Sequence, residues 1–478
     1  MSVREQFPKT NPWQLRLGER RALLILGDLM MGLLALALSL LLWGSSLRFI
    51  EFNFEFLRDR VPIWFYLLPF FWVLLLIEMY DVHRAGDWRR TVRGIALAAL
   101  IGLGLYLLYF FLYVSSPEML LPRRSVATFI VAVAALTLGW RWLYIRIFSA
   151  ARFMRRVLLV GGGRSGQILL QIINQLQPPP FFLIGIVDDD PQKLGAQIEG
   201  LTVFGDSACL LDTISANQVS DIIVAISGEM QGAMFQRLLD AQELGVEISR
   251  MPVVYEELLS RVPIRLLETD WILRSFVDQA RTSRLYALSK RLLDLLGGLA
   301  GLVVFAALLP FIALAIIIDD GRPVFYGQTR SGRGGRPYTI LKYRTMRRDA
   351  EPDGRPQWAK EDDERATRVG RFLRKTHLDE LPQILNVVFG EMSLVGPRAE
   401  RPELVEMFQR HVPFYRARLL VKPGITGWAQ VNAGYAATIE ETIIKLEYDL
   451  YYIKHRNISM DLIILLRTPA TVFGFRGR

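Results

Sequence analysis

Four long apolar stretches fill the first third of the chain. They cover residues 22–43, 61–77, 94–117 and 125–148, and aromatic residues cluster near their ends. A helix needs about 20 apolar residues to cross the roughly 30 Å hydrocarbon core of a bilayer, and aromatic belts mark its two interfaces. The pattern predicts a four-helix transmembrane bundle over residues 1–154.

Basic residues gather before the first stretch, between the second and third, and after the fourth: Arg4, Lys9, Arg16, Arg20, Arg21, Arg84, Arg89, Arg90, Arg93, Arg152, Arg155 and Arg156. Because short cytoplasmic loops carry the excess of Lys and Arg, the N-terminus and everything after Arg152 are predicted to lie in the cytoplasm. Asp28 lies inside the first stretch. A polar relay is one interpretation, and a hydrogen bond to a neighbouring helix is the one that we favour.

The pattern changes after Arg156 to short buried strands alternating with amphipathic helices. Gly161, Gly163 and Gly166 follow the first strand and open a helix, and Asp188 follows the second strand. Such glycines let backbone amides approach a phosphate at a helix N-terminus. Residues 155–265 are therefore predicted to form an α/β Rossmann-like domain, whose glycine loop either binds a nucleotide or serves close packing alone.

A second kind of apolar run begins near residue 292. Residues 295–318 are uncharged and long enough to span a membrane, yet both flanks are basic and Pro310 lies inside the run. A span should leave its basic flank on one side only, and a proline removes one helical hydrogen bond. We expect a re-entrant helix over residues 292–318 that breaks at Pro310. The alternative is a fifth, kinked span with the C-terminal third outside.

Composition narrows the classes of protein. Apolar residues make up 51% of the chain, which excludes a disordered protein and disfavours an ordinary soluble enzyme. The single cysteine excludes a disulfide scaffold, and the four histidines lack metal-ligand spacing. The net charge of +10 could indicate nucleic acid, but its distribution favours a membrane surface, so we expect membrane lipids and no nucleic acid as partners.

Candidate chemistry lies in the C-terminal part, residues 289–478, which follows a predicted linker at 266–288. Asp379 and Glu380 stand side by side among apolar residues, where carboxylates are costly unless a metal or cation pairs them. Neighbouring helical positions point about 100° apart, so one carboxylate can attack while the other holds a divalent ion. An adjacent acidic pair is also common on helix surfaces, which is the alternative.

Four cations are candidates for binding phosphate: Lys342, Arg344, Arg374 and Arg398. Arg398 follows a Gly-Pro turn, which suits a bidentate contact with phosphate. A structural ion pair between Arg398 and Glu400 is the alternative interpretation. For the cations near the membrane helix, the alternative is a general attraction to anionic lipid.

From about residue 289 to its end, the chain resembles the bacterial sugar transferases that act on polyprenyl phosphate, the polyprenol-phosphate hexose-1-phosphate transferases. The resemblance is carried by ordered sequence blocks: Lys290-Arg291 with Asp294, residues 321–328, residues 342–346, residues 378–383 with Asn386, residues 392–398 and residues 422–427. Four spans and a nucleotide-type domain before these blocks resemble the large subgroup of the family.

The resemblance implies that Asp379 is the nucleophile, that Glu380 binds Mg²⁺ and that Arg398 organises the phosphate and uridine end of the site. It implies transfer of hexose-1-phosphate from a UDP-hexose, glucose or galactose, to undecaprenyl phosphate through a covalent aspartyl-phosphosugar, with release of UMP. Ala399, His377 and Leu309 depart from the family pattern, but none of them removes a charged group that the chemistry needs.

The resemblance further implies a place in the bacterial inner membrane, with an α-rich, monotopic catalytic domain on the cytoplasmic face and a role in initiating exopolysaccharide, capsule or O-antigen synthesis. A homodimer through the non-catalytic domains stays open. Two other classes of protein also stay open. A membrane-bound nucleotide-sugar dehydratase or epimerase would use the glycine loop, and a non-catalytic scaffold of polysaccharide assembly would tolerate loss of Asp379.

Overall fold

The computed structural model of the chain divides into two compact units, Met1–Leu258 and Leu259–Arg478. Val262 and Ile264, which the sequence places at the end of the Rossmann-like domain, pack in the core of the second unit. The domain boundaries themselves stay predictions, and the linker lies largely outside the described residues. The structure describes residues 15, 17–46, 54–59, 61–80, 85–112, 123–148, 154–176, 179–266, 283–347, 365–434 and 438–472.

Four helices among the described residues are long and apolar enough to cross a membrane: Gly18–Gly44, Trp88–Phe111, Arg124–Ile147 and Arg284–Asp320. The first three lie within the helices Leu17–Ser46, Trp88–Leu112 and Arg123–Phe148 and match three of the four predicted spans. A short helix, Phe54–Asp59, follows the first of them.

The predicted second span, residues 61–77, differs from the prediction. It consists of a 3-10 helix, Ile63–Leu67, an α-helix, Leu68–Leu75, and a second 3-10 helix, Ile77–Tyr80. Pro69 stands in the first turn of the α-helix, where its missing amide hydrogen is tolerated. The eight-residue α-helix is about 12 Å long, well short of the hydrocarbon core.

Asp28 forms an ion pair inside the first unit. Its Oδ2 lies 2.6 Å from Nη2 of Arg141 on the helix Arg123–Phe148, and Nη1 of Arg141 donates to the carbonyl of Met79. Both charged side chains are buried completely. Because an unpaired charge is expensive in apolar surroundings, each of the two side chains needs the other, which gives Asp28 a structural role.

A six-stranded sheet forms the rest of the first unit, in the order β3-β4-β2-β1-β5-β6. All neighbours are parallel except β3 and β4. β1 is nearly fully buried, as the apolar run Val157–Val160 predicts. The strands are β1 Arg156–Val160, β2 Phe182–Val187, β3 Gln197–Ile198, β4 Leu201–Gly205, β5 Asp221–Val224 and β6 Glu247–Arg250.

Helices connect these strands in the manner of a Rossmann-like fold, as predicted. β2 and β5 flank β1 on opposite sides, so the strand order reverses at the carboxyl end of β1, where the glycine loop lies. The helices are Arg164–Gln175, Leu210–Asn217, Gly232–Glu243 and Met251–Leu259, with 3-10 turns at Pro191–Lys193 and Ser207–Cys209.

The second unit is built around the helix Arg284–Asp320, which we call the Pro310 helix. It begins at an N-cap, Ser283, and ends at Gly321, and it stays helical on both sides of Pro310. Pro310 therefore does not end the helix, although its missing amide hydrogen frees one carbonyl in the preceding turn. The predicted break at Pro310 and the re-entrant topology stay predictions.

Both ends of the Pro310 helix bind the rest of the second unit. Near its start, the buried carboxylate of Asp294 accepts hydrogen bonds from Ser393 Oγ at 2.8 Å and Leu394 N at 2.9 Å. At its end, Asp319 accepts from Val369 N at 2.8 Å. Its opposite face leaves large apolar side chains exposed: Leu292, Leu296, Leu299, Val303, Val304, Phe311, Leu314 and Ile318.

Short elements fold against this helix. β7, Phe325–Ser331, pairs antiparallel with β8, Pro337–Tyr343, and β9, Ser393–Val395, pairs parallel with β10, Gly424–Thr426. The helices are Arg368–Lys375, Ile384–Phe389, Pro402–His411, Trp428–Asn432, Ile439–His455 and Ile458–Val472, with 3-10 helices Ile264–Leu266, Arg333–Gly335, Leu378–Gln383 and Tyr415–Leu420.

Candidate active site

Asp379 and Glu380 lie on the 3-10 helix Leu378–Gln383, which we call the carboxylate turn. His377 precedes it with a left-handed backbone, φ 56°, so the chain changes direction sharply after the helix Arg368–Lys375. Leu378 and Leu381 pack against the apolar cluster that contains Phe305 and Ile312 of the Pro310 helix. The turn is therefore anchored by its leucines while its carboxylates face the neighbouring cations.

Lys342 and Arg398 meet at Glu380. Lys342 Nζ, at the end of β8, lies 2.7 Å from Oε1 of Glu380 and 3.9 Å from Oδ2 of Asp379. Arg398 reaches Glu380 with both terminal nitrogens, at 2.6 and 3.3 Å. Four of the predicted site residues thus form one cluster, and Arg398 pairs with Glu380 rather than with Glu400.

The two carboxylates differ in electrostatic state. Burial raises the pKa of Asp379 above its usual value, and the nearby charge of Lys342 opposes that effect only partly. Burial acts in the same direction on Glu380, but the charges of Arg398 and Lys342 outweigh it and hold the pKa of Glu380 well below its usual range. Among the described residues, no group donates a hydrogen bond to the Asp379 carboxylate, and Lys342 Nζ lies 3.9 Å from its Oδ2.

Asn386, on the helix that follows the carboxylate turn, binds β8. Its Oδ1 accepts from Leu341 N, and its Nδ2 donates to the Thr339 carbonyl at 2.8 Å and to Glu391 at 2.7 Å. Since Leu341 immediately precedes Lys342, this clamp sets the position of the lysine relative to Glu380. Asn386 belongs to one of the sequence blocks that carry the family resemblance, but the sequence alone did not predict a role for it.

Arg398 is held through its backbone. Gly396 and Gly424 approach so closely that a Cβ on Gly424 would lie 2.1 Å from Gly396 N, which only glycine permits. Gly424 N donates to the Pro397 carbonyl, and Arg418 Nη2 donates to the Arg398 carbonyl at 3.1 Å. Arg418 is itself buried and paired with Asp449 at 2.8 Å. Pattern analysis missed Arg418, whose only signal was its proximity to the Lys-Pro-Gly block.

Two predicted phosphate-binding residues lie outside this cluster. Arg344 donates to the backbone carbonyls of Asp320, Gly321 and Arg322, so its guanidinium caps the end of the Pro310 helix. Arg374 is half-buried in the last turn of the helix Arg368–Lys375, and its side chain makes no hydrogen bond or ion pair with a described residue.

In the first unit, the carboxylate of Asp188 accepts a hydrogen bond from the glycine loop. Gly162 N donates to Oδ2 of Asp188 at 2.6 Å, and Lys193 Nζ lies 3.0 Å from the same oxygen. A Cβ on Gly166 would lie 2.2 Å from the Gly161 carbonyl oxygen, so close helix–strand packing requires glycine there. Gly161, Gly163 and Gly166 therefore stand where the sequence predicts, and close packing accounts for Gly166 without a nucleotide.

The carboxylate turn fits a magnesium ion in its ligand type. Mg²⁺ is commonly held by one or two carboxylates together with substrate phosphates and water. Asp379 and Glu380 supply two adjacent carboxylates, although Lys342 and Arg398 contact the oxygens of Glu380 in this structure. No cluster of three acidic, histidine or cysteine side chains suited to a metal occurs among the described residues. A metal here would therefore need oxygens from a substrate.

A buried carboxylate without hydrogen-bond donors, beside a second carboxylate that is held ionised by two cations, suits attack on a phosphate. The cations can neutralise the phosphate oxygens that would otherwise repel a carboxylate. The unit that carries this cluster also carries the apolar Pro310 helix. Together these features are those expected of a membrane-associated enzyme that transfers a group between phosphorylated substrates.

Comparison with known proteins gives the family. The bacterial sugar transferase family model matches residues 285–475, and a CoA-binding domain model matches residues 76–252. The UDP-glucose:undecaprenyl-phosphate glucose-1-phosphate transferase of Escherichia coli (strain K12) is 30% identical over 342 residues, which are 71% of each chain. The chain belongs to the bacterial sugar transferase family, which confirms the predicted resemblance.

Two further relatives match over shorter regions. The UDP-N-acetylgalactosamine-undecaprenyl-phosphate N-acetylgalactosaminephosphotransferase of Aeromonas hydrophila is 38% identical over 48% of this chain. The UDP-glucose:undecaprenyl-phosphate glucose-1-phosphate transferase of Xanthomonas campestris pv. campestris is 31% identical over 58% of this chain. These matches span 55% and 58% of the two relatives' own lengths.

Proposed function

We propose that this protein transfers a sugar-1-phosphate from a UDP-sugar to undecaprenyl phosphate, releasing UMP, as the first step in assembling a surface polysaccharide. The observation that carries the proposal is the cluster of Asp379, Glu380, Lys342 and Arg398 in the unit built on the apolar Pro310 helix. The relatives named above are undecaprenyl-phosphate sugar phosphotransferases, which supports the same reaction class.

Asp379 acts as the nucleophile in the proposed first step. One of its carboxylate oxygens attacks the phosphorus that bears the sugar, and the bond from that phosphorus to the UMP oxygen breaks. UMP leaves with the electron pair, and an aspartyl-phosphosugar remains. Arg398 and Lys342 lie close enough to stabilise the charge on the phosphate oxygens during this exchange.

In the proposed second step, the sugar phosphate is transferred from Asp379 to the lipid. An oxygen of undecaprenyl phosphate attacks the same phosphorus, and the Asp379 carboxylate leaves with the electrons of the acyl-phosphate bond. The product is a lipid-linked diphosphosugar, and the enzyme returns to its starting state. Glu380 would hold Mg²⁺, which when bound supplies charge neutralisation at the diphosphate.

The contacts of the Pro310 helix support a re-entrant topology. Asp294 near its start binds Ser393 and Leu394, while Asp319 near its end binds Val369 of the same unit. A helix that crossed the bilayer would place these two ends on opposite faces. We therefore propose that the apolar run dips into the cytoplasmic leaflet of the inner membrane and leaves the catalytic residues on the cytoplasmic face.

Replacing the proposed nucleophile tests the reaction. Asp379→Asn keeps the side-chain size but removes the charge, so turnover should fall by about 10³-fold or more. UMP release is measured with undecaprenyl phosphate and a donor panel of UDP-glucose, UDP-galactose and UDP-N-acetylgalactosamine. Asp240→Asn, in a helix of the first unit, serves as the matched control and should leave turnover unchanged.

The intermediate provides a second measurement. Without the lipid acceptor, the parent enzyme should release about one equivalent of UMP and gain the mass of one sugar phosphate, because the aspartyl-phosphosugar cannot be discharged. The Asp379→Asn variant should do neither. Near-normal turnover of this variant would contradict the proposed mechanism, as would a parent enzyme that releases no UMP until acceptor is added.

A further inference from the structure

Two cations meet at a glycine on the side of the second unit where the Pro310 helix begins. A Cβ on Gly390 would lie 3.5 Å from Lys422 Nζ and 3.6 Å from Cζ of Arg291. Arg291 donates to the carbonyls of Val387 and Val388 through its two terminal nitrogens, which holds its guanidinium at the end of the helix Ile384–Phe389. Like charges at such close approach repel one another unless an anion lies between them.

The nearby carboxylates are already engaged elsewhere. Asp294 accepts from Ser393 and Leu394, Asp461 is paired with Lys290 at 3.0 Å, and Glu391 accepts from Asn386. Neither Lys422 nor Arg291 forms an ion pair with any carboxylate in the described part of the chain. Burial and the charges of Arg291, Arg333 and Lys290 lower the pKa of Lys422, and the charge of Asp294 opposes them only partly.

The position of this cation pair relates it to the membrane. Arg291 lies among the exposed leucines of the first turns of the Pro310 helix, Leu285, Leu288, Leu292 and Leu296. Cationic side chains that flank a membrane-inserted apolar face lie at the level of the lipid head groups, where phosphate is the abundant anion.

We propose that Lys422 and Arg291 form a binding site for the phosphate of a lipid, separate from the carboxylate turn. The site lies at the far end of the helix Ile384–Phe389, ten residues along the chain from Glu380. The lipid is either the acceptor, undecaprenyl phosphate, or an anionic phospholipid of the bilayer. The proposal rests on the membrane placement in the proposed function, but not on the identity of the nucleophile.

Lipid binding to the full-length protein in detergent micelles tests the site. The change is Lys422→Gln, which removes the charge without touching the carbonyl contacts of Arg291. Native mass spectrometry titrations use undecaprenyl phosphate, phosphatidylglycerol and, as a phosphate-free lipid, diacylglycerol. We expect the affinity for a lipid phosphate to fall about tenfold or more, because a charge-assisted contact is lost, and the affinity for diacylglycerol to stay constant.

Two variants accompany the measurement. Lys422→Arg should restore binding because it returns the charge, and Arg410→Gln, which removes an exposed charge from the helix Pro402–His411, should leave binding unchanged. A loss of affinity for undecaprenyl phosphate alone identifies an acceptor site, and a loss of affinity for phosphatidylglycerol alone identifies a site for a bilayer lipid. Either result supports the proposal, as does a loss of both.

Unchanged affinity for both phosphate lipids would overturn the proposal. An equal fall in the affinity for diacylglycerol would also overturn it, because the substitution would then have disturbed lipid packing and not the binding of phosphate. Asp379→Asn separates this site from the reaction. It should abolish turnover and leave lipid binding intact. If Asp379→Asn stayed active while Lys422→Gln still lowered the affinity for phosphate lipids, the proposed mechanism would be contradicted and the proposed lipid site would be supported.

Discussion

Glu380→Gln tests the second carboxylate of the turn. The substitution keeps the size of the side chain and one acceptor oxygen, but it removes the negative charge that Lys342 contacts at 2.7 Å and Arg398 at 2.6 Å. Two cations are then left facing one another around a neutral amide. The proposed magnesium ligand is lost in the same step.

The expected size of the effect follows from exposure. Removing one partner of a buried ion pair costs about 3–5 kcal/mol. The Glu380 side chain is 12% exposed and that of Lys342 is 19% exposed, but Arg398 is 48% exposed and can be rehydrated by water. The loss in the free energy of unfolding should therefore be smaller, about 1–3 kcal/mol, and the Tm should fall by several degrees.

The assay combines a magnesium titration of UMP release with thermal unfolding of the purified protein. For Glu380→Gln we expect a rate about 10²–10³-fold lower and half-saturation at a higher magnesium concentration, because a charged ligand is lost. Glu406→Gln is the matched control, since Glu406 is an exposed carboxylate on the helix Pro402–His411. An unchanged magnesium titration would refute the ligand role, and an unchanged Tm would refute the ion-pair reasoning.

Three further predictions follow. Because burial raises the pKa of Asp379 and only the ionised form attacks, kcat/KM should fall on the acid side at a pH above that of an ordinary aspartate. Lys342→Gln should move this acid-side fall in kcat/KM to higher pH, because it removes a charge that lowers the pKa of Asp379. An unchanged pH profile would contradict the assignment of the fall to Asp379. With Cys209 replaced by serine, single cysteines at Ser289 and Arg336 should both be shielded from an impermeant thiol reagent in intact cells, whereas a true span would expose one of them. Pro310→Ala should straighten the helix and lower activity while exposing the Arg336 cysteine, and full activity with both sites shielded would place the cause of the hairpin elsewhere.

The fold was predictable where one pattern dominates a segment. Uniform apolar runs gave three of the long membrane helices, and the strand–glycine–helix order gave the Rossmann-like domain. Residues 61–77 are apolar as predicted, but 3-10 segments divide them, and hydropathy does not register such local features. The helix Arg284–Asp320 stays helical through Pro310, and side chains on both sides of this proline pack in one apolar cluster.

The site was predictable where charge stands in apolar surroundings. Asp379, Glu380 and Lys342 are largely buried charges that need partners, and they meet in one cluster with Arg398, which is 48% exposed. Arg344 followed the same pattern, yet it contacts backbone carbonyls at a helix end and the carboxylate of Asp320 at 3.1 Å. A cation beside a helix C-terminus has an attractive partner within the fold, and sequence spacing cannot separate that partner from a substrate phosphate.

Packing connects the reaction to the membrane. Leu378 and Leu381 of the carboxylate turn join the same apolar cluster as Phe305, Ile312 and Ile316 of the Pro310 helix. Hydrophobic cores are close-packed, so a shift of that helix would be transmitted to the turn rather than absorbed. The height of the helix in the bilayer would therefore set the height of Asp379 above it. This arrangement would suit the role proposed for Asp379, which is to meet a soluble donor first and a lipid phosphate afterwards.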